Sequence, residues 1–359
     1  MANARCVDSS DPTTLTAARV LPHYEGLAEA RIQPIPSGLI NQTFLISTAE
    51  RRVVLQRVSP IFPPGIHDNI EAVTARLAAA GMVTPLIVRA RDGRLWVELE
   101  TGAGVWRVMT FVDGASFDAV ESPAQAHAAG ALIARFHRTL DDLPHTFANV
   151  RKGAHDTPRH IERLRAAVAK HGAHRLFAQV APLASEILAA ADTLPALPSL
   201  EDRVCHGDPK FNNVRFLGTT PAAREQALCL IDLDTVGPSK LSFELGDAWR
   251  SWCNRNGEDA PVAALDLEIF RASVEGYREA LARGFTSDEQ RALLLAVEWI
   301  SLELAARFAA DALDESYFGW DPGRFAARGE HNLIRARGQW SLHRAFVDAR
   351  DLRARILSS

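Results

Sequence analysis

The sequence is short of several things, and each shortage excludes a class of protein. Its four cysteines, at 6, 205, 229 and 253, form no C-x-x-C pair. Reduced thiols in a cytoplasmic protein are therefore expected, rather than a disulfide framework or a structural zinc site. The first ten residues, MANARCVDSS, lack the apolar segment of a secretory signal. No run approaches the roughly 18 apolar residues of a membrane span; ALLLAV at 292–297 is closed off by Arg291 and Glu298. Positive charge is not in excess either. A formal net charge of −4 and a pI near 6.3 argue against nucleic-acid or membrane-surface partners. Lysine is absent ahead of Lys152, and the stretch PSGLINQTF (36–44) has a single glycine, Gly38, too few to mark a nucleotide site by itself.

What is present is an ordinary globular balance, 47% hydrophobic and 23% charged, in 359 residues. That length suits two lobes at about 150 residues per domain. The first stretch reads as β-rich. LINQTFLIS (39–47) and RRVVLQRV (51–58) form a strand hairpin across a short polar link. NIEAVTARLAAAG (69–81) has helical spacing and ends at Gly81. PLIVRARDGRLWVEL (85–99) is expected to be a second hairpin about Asp92-Gly93, and VWRVMTFVDG (105–114) a further strand. From Ser122-Pro123, an N-cap and first-turn pair, the pattern turns helical. Ala129, Leu132, Ile133, Phe136 and Leu140 make one apolar stripe. Helices follow over about 160–193, a short strand lies in CLIDLDTVG (229–237), and 241–359 is nearly all helical. The predicted domains are 1–112, a β-rich lobe, and 113–359, a mainly helical lobe.

Two polar segments stand out, HGDPKFNN (206–213) and IDLDT (231–235). The intervening VRFLGTTPAAREQALCL reads as a hairpin, which brings Asp208 and Asn213 near Asp232. Carboxylates with an amide oxygen, and no His/Cys pair at metal spacing, suit Mg2+ sharing its shell with substrate phosphates. Asp208 is then placed to accept the proton of an attacking hydroxyl. Asn213 and Asp232 hold the metal, and Lys210 reaches the transferred phosphoryl group. Asp234 either binds a second metal or water, or only orients the loop. His206 is expected to fix the loop by hydrogen bonding.

H-G-D-x-K-x-N-N followed by I-D-x-D resembles the catalytic and metal-binding loops of the aminoglycoside phosphotransferase superfamily, relatives of the protein kinases. Within it the chain is most similar to the N-acetylhexosamine 1-kinase group, through INQTF, VLQRV, NIEAVT, VWRVMTFV, HDTP (155–158), IDLDTVGPSKLSFELGDAWR and EHNLIRAR (330–337). The resemblance implies an α+β, bilobal protein-kinase-like fold, with a small β-rich N-lobe, a larger mainly α-helical C-lobe, and ATP with Mg2+ bound between them. Gln56 stands where a phosphate-binding lysine is usual, with Arg57 as a candidate supplier of charge and Glu71 matching the helix glutamate. Adenine would meet the backbone of Thr110 to Val112, with Met109 lining the site or packing in the core.

For the acceptor, Leu293, Val297, Ile300 and Leu304 step along one face of a helix, and the next position is Arg307. A guanidinium there must pair or face a ligand. The resemblance gives Arg307 and Tyr317 sugar contacts; capping the helix or pairing with Asp311 are the alternatives for Arg307. His155 and Asp156 belong to a shared loop, and Asp247 is expected to buttress the catalytic loop. Leu39 and Asn41 fall in the segment where the sugar kinases contact substrate, and Leu39 offers no side-chain hydrogen bond there. The expected reaction is transfer of the γ-phosphate to a small-molecule hydroxyl acceptor, with the anomeric hydroxyl of a hexose or N-acetylhexosamine foremost. An aminoglycoside, choline or homoserine is the alternative acceptor, and a nucleotide-binding pseudokinase the alternative class. The chain is expected as a monomer or homodimer.

Overall fold

The computed structural model describes residues 12–35, 40–99, 102–150 and 155–359. It divides into two compact units: 1–113 with 142–150 and 233–236, and 114–141 with 151–232 and 237–359. Between Asp232 and Leu233 the chain leaves the second unit, and it returns at Gly237.

In the first unit, helix α1 (Pro12–Val20) precedes strands β1 (Arg31–Ile35), β2 (Gln42–Ser47) and β3 (Arg52–Val58). Helix α2 (Ile66–Ala79) and strands β4 (Ile87–Val88), β5 (Val97–Glu98) and β6 (Val105–Thr110) follow. The antiparallel sheet has the order β1-β2-β3-β6-β4, with β5 also on β6. Alternation along β3 buries Val53 and Leu55, which join Phe44, Ile46, Trp106 and Val108 in one core; Val58, of the opposite parity, is buried as well. The hairpin expected at 85–99 does not form. β4 and β5 both run antiparallel to β6, at Met109–Val108 and Trp106–Val105, so they share a direction and cannot pair as a hairpin. The Asp92-Gly93 turn is real but local, closed by the Ala90 N–H on the Arg94 carbonyl.

The second unit is built on α3 (Pro123–Leu140), α4 (Thr157–Lys170), α5 (Phe177–Thr193), α6 (Leu241–Trp252), α7 (Leu267–Leu281), α8 (Ser287–Asp314), α9 (Arg328–Asp348) and α10 (Arg350–Ser358). Two small ladders interrupt it: β7 (Asp202–Cys205) with β10 (Gly237–Lys240), and β8 (Val214–Phe216) with β9 (Ala227–Leu230). Ser122 caps α3 by accepting the Gln125 N–H, and the α3 stripe is fully buried. α3 packs on α7 at very close range, because Gly276 lies under the His127 carbonyl: a Cβ there would come within 2.0 Å of that oxygen. The apolar segment CLIDLDTVG is not one strand. β9 ends at Leu230, and residues 233–235 form a single helical turn before β10.

Candidate active site

The HGD loop of the second unit follows β7, and side chains hold its backbone groups in place. Gly207 sits at φ +82°, a conformation that favours glycine. Glu244, buried on α6, accepts both the His206 N–H (2.9 Å) and the Gly207 N–H (2.9 Å). Burial acts to raise the Glu244 pKa, but His137, His206 and the Gly207 N–H prevail and hold it below the usual carboxylate range. His206 accepts from the Asp208 N–H at 3.3 Å through Nδ1, which makes Nε2 the protonated nitrogen; it donates to the Ile231 carbonyl at 2.8 Å. The imidazole is thus a spacer between the two polar segments. Trp252 donates to the Pro209 carbonyl at 2.8 Å from the other side.

Asp208 projects from this loop, its side chain 24% exposed, with the Lys210 ammonium 3.1 Å from Oδ2. Burial acts to lower the Lys210 pKa; Asp208, with Asp247 and Glu258, outweighs it, so the net change is upward and the ammonium stays charged. Asn213 is buried and donates its amide N–H to the Asp208 carbonyl at 2.8 Å, leaving Oδ1 as the atom it can offer a cation. The β8–β9 hairpin closes with the Ile231 N–H on the Asn213 carbonyl at 2.9 Å, which puts the start of IDLDT beside the end of HGDPKFNN. Asp232 is next, exposed and at φ +64°. Asn213 and Asp232 supply hard oxygen donors, with no thiolate or imidazole in the set, and so fit Mg2+.

Asp234 is a correction. Its carboxylate is buried in the first unit, ion-paired with the Arg107 guanidinium, and accepts the Asn41 amide N–H at 2.6 Å. A carboxylate committed in this way is not open to a second metal. Asn41 is committed too, since its Oδ1 accepts the Ser59 N–H at 2.9 Å, so a substrate-binding role for it is not supported. Gln56 lies opposite Arg107 in the β3–β6 register, and its Oε1 accepts from Arg107 Nε (2.9 Å) and Nη2 (2.7 Å). Arg57 points from the other face of β3, with Nη1 3.4 Å from Gln42 Oε1; the buried cation beside Gln56 is Arg107 instead. Glu71 pairs with Arg89 and not with a strand β3 cation. Thr110 is consumed by strand pairing: its N–H and its Oγ1 both bond the Leu86 backbone at 2.8 Å, so it has no N–H for adenine. Met109 is buried, Val112 is half-buried, and Leu39 lies outside the described residues.

Of the residues expected to contact the acceptor, Arg307 projects from α8 next to the fully buried Glu303, Nη1 to Oε1 3.4 Å. Glu303 also accepts from Thr157 Oγ1 at 2.8 Å and has His155 Nδ1 at 3.4 Å. Arg307 therefore pairs with Glu303, not Asp311. Asp311 instead accepts the N–H groups of Ser316, Tyr317 and Phe318, at 3.0, 2.8 and 2.9 Å. That turn presents the half-exposed Tyr317 ring 5.9 Å from the Arg307 guanidinium. Asp247 pairs with Arg250 at 2.8 Å, whereas the loop buttress is Glu244. Motif spacing does not reveal Arg107, Glu244 or Glu303. The one available signal is a charge inside an apolar segment: VWRVM for Arg107, ISLELA for Glu303.

A helix-clamped loop carrying a carboxylate, an ammonium and an amide oxygen beside an Asp-bearing turn defines a kinase-like small-molecule phosphotransferase. The profile of the phosphotransferase enzyme family (APH) matches residues 31–295, and the chain belongs to that family. It is similar to the homoserine kinase of Burkholderia cenocepacia, 26% identical over 281 residues, covering 76% of this chain and 78% of the relative. The fold is similar to that of a microcompartment-associated aminopropanol kinase, with a TM-score of 0.63 and 19% identity, covering 95% of this chain and 99% of that one. It is also similar to an amicoumacin kinase in complex with AMP-PNP and Ca2+, with a TM-score of 0.58 and 14% identity, covering 91% and 92%. These findings uphold the superfamily, the fold class and the enzyme class. They give no support to a sugar acceptor or to the N-acetylhexosamine 1-kinase group. No helix among the described residues is long and apolar enough to cross a membrane.

Proposed function

We propose that the chain transfers the γ-phosphoryl group of ATP, held with Mg2+, to the hydroxyl of a small hydroxyl amino acid or amino alcohol, homoserine first among them. The observation that carries the reaction is the loop holding Asp208 and Lys210 3.1 Å apart beside Asn213. The acceptor oxygen attacks the γ-phosphorus, the bond from that phosphorus to the β,γ-bridging oxygen breaks, and ADP departs. The hydroxyl proton passes to an Asp208 carboxylate oxygen. Lys210 supplies positive charge to the phosphoryl oxygens. Asn213 and Asp232 would hold the Mg2+, which neutralises phosphate charge.

Two observations support the acceptor class. The likeness to homoserine kinases runs over three-quarters of the chain. The Arg307–Glu303 pair also sets a guanidinium against a buried carboxylate, and an amino acid carries both a carboxylate and an ammonium. An ADP-release assay over homoserine, aminopropanol, choline, an aminoglycoside and hexoses tests the reading. Turnover should be greatest on homoserine or aminopropanol and should fall by at least ~10²-fold in Asp208→Asn, the usual contribution of a positioned base. No turnover above that variant on any acceptor would defeat the reaction; a hexose preferred over every amino alcohol would defeat the acceptor assignment alone.

A further inference from the structure

The first unit contains a buried polar network with no obvious place in a hydrophobic sheet. Arg107 lies in the middle of β6 and is 1% exposed. Its guanidinium is shared between a neutral acceptor, Gln56 Oε1, and a charged one, Asp234. Asn41, ahead of β2, completes the set by donating to Asp234 Oδ2, and Ser59, just after β3, holds Asn41 in turn. Fold stability gives little reason to keep such a network, since a buried ion pair is often replaceable by apolar residues at no loss. Its location supplies a reason. Asp234 is two residues beyond Asp232, in the short stretch 233–236 that belongs to the first unit although the residues on either side belong to the second.

The turn carrying Asp232 is therefore pinned on both sides. On its N-terminal side, Ile231 gives its N–H to Asn213 and accepts from His206. On its C-terminal side, Leu233 and Asp234 are buried, the Val236 N–H closes the turn on the Leu233 carbonyl, and Asp234 is locked by Arg107 and Asn41. Between the pins, Asp232 sits at φ +64°, a left-handed conformation that Asp adopts more readily than most L-residues but still at some cost.

We propose that Asn41, Gln56, Arg107 and Asp234 form a latch that positions the metal-binding turn, with Arg107 as its central cation and Asp234 as a positioning residue rather than a metal ligand. This rests on the reading of Asp232 as a ligand for the nucleotide-bound metal. The latch holds the Asp232 carboxylate in one orientation, so releasing it weakens metal binding without removing any donor oxygen. Residues behind a metal site commonly change affinity by about 10–100-fold.

The test is direct Mn2+ binding, read by electron paramagnetic resonance in the presence of AMP-PNP, on the full chain. Arg107→Gln alone leaves Asp234 buried and unpaired, so the informative variant is Arg107→Gln with Asp234→Asn, which removes both charges together. It should melt near the parent, bind nucleotide-associated Mn2+ at least about tenfold more weakly, and raise the Mg2+ concentration needed for half-maximal turnover. Arg107→Lys should fall between the two. Should the double variant not fold, Asn41→Ala, which removes one donor and no charge, should shift Mn2+ affinity in the same direction by less. A folded double variant, or Asn41→Ala in its place, that binds Mn2+ as the parent does overturns the latch and leaves the proposed reaction standing. A parent protein that binds no nucleotide-associated metal overturns the proposed reaction, and the latch with it.

Discussion

Two arginines occupy positions where the pattern of their elements calls for an apolar side chain, and they divide the polar work of the chain. Arg107 in β6 is sealed from solvent by Gln56 and Asp234. Arg307 in α8 keeps 16% of its side chain exposed and faces an aromatic ring as well as a carboxylate. That remaining access is what a ligand needs. Arg307→Ala should raise the KM for the proposed amino-acid acceptor by about 10–100-fold, the range of a hydrogen bond to a charged group, with KM for ATP unchanged. Arg307→Lys should recover part of the loss, because an ammonium keeps the charge but not the planar fork. Initial rates over a grid of both substrates separate these effects. An Arg307→Ala enzyme with the parent's acceptor KM would remove Arg307 from the acceptor site and leave it a partner of Glu303 alone.

The elements were legible wherever one face alone decides burial. The β2–β3 hairpin, the capped α3 and the β8–β9 hairpin all follow from alternation, helical spacing and turn residues visible in the chain. What could not be read depends on partners far away in sequence. Asp92-Gly93 does mark a turn, but the direction of β4 and β5 is set by β6, so a local signal suggested a hairpin that the sheet does not contain. The pairing of Gln56 with Arg107 needs the β3–β6 register, and a search for a lysine along the chain passes over an arginine on the neighbouring strand. Glu244 and Asp247 lie one helical turn apart on α6, and only the direction of the helix decides which meets the HGD loop. Close helix packing is equally invisible in sequence. Gly276 reads as a mild helix weakener, yet it is the contact that lets α7 approach the α3 backbone at His127. Gly276→Ala should therefore destabilise the second unit by about 1–3 kcal/mol, the usual cost of overpacking, despite alanine's better helix propensity. Urea unfolding would check the sign: a more stable Gly276→Ala protein would mean that the two helices separate without cost.

Across the whole molecule, stability should respond to acid in two stages that arise from different groups. Each unit buries an imidazole whose pKa is lowered by that burial. In the first, His67 is fully buried with Nδ1 2.7 Å from the Pro64 carbonyl. Burial first, and then the Arg107 charge, bring its pKa down from 6.5 to about 4, against the opposing pull of Pro64, Asp234 and Asp68. In the second, His137 and His343 are also moved downward, chiefly by burial. A histidine with a depressed folded pKa takes up its proton more readily in the unfolded chain. Its contribution is therefore complete above about pH 6.5 and is lost as the pH falls from there toward the folded value. For His67 the limit is about 3 kcal/mol, because each tenfold loss of proton affinity on folding is worth roughly 1.4 kcal/mol. The carboxylates come second: Glu244 and Asp247 keep depressed values despite burial, so their contribution persists to about pH 4.5 and disappears only below it. Melting temperature against pH should be level from about 8 to 7, decline from about 6.5, and steepen below about 4.5. His67→Gln should flatten the first decline for the transition of the first unit and leave that of the second unit in place. A protein that grew more stable between about pH 7 and 5 would show that these imidazoles are protonated in the fold, and that the charge beside Arg107 is not what the buried geometry implies.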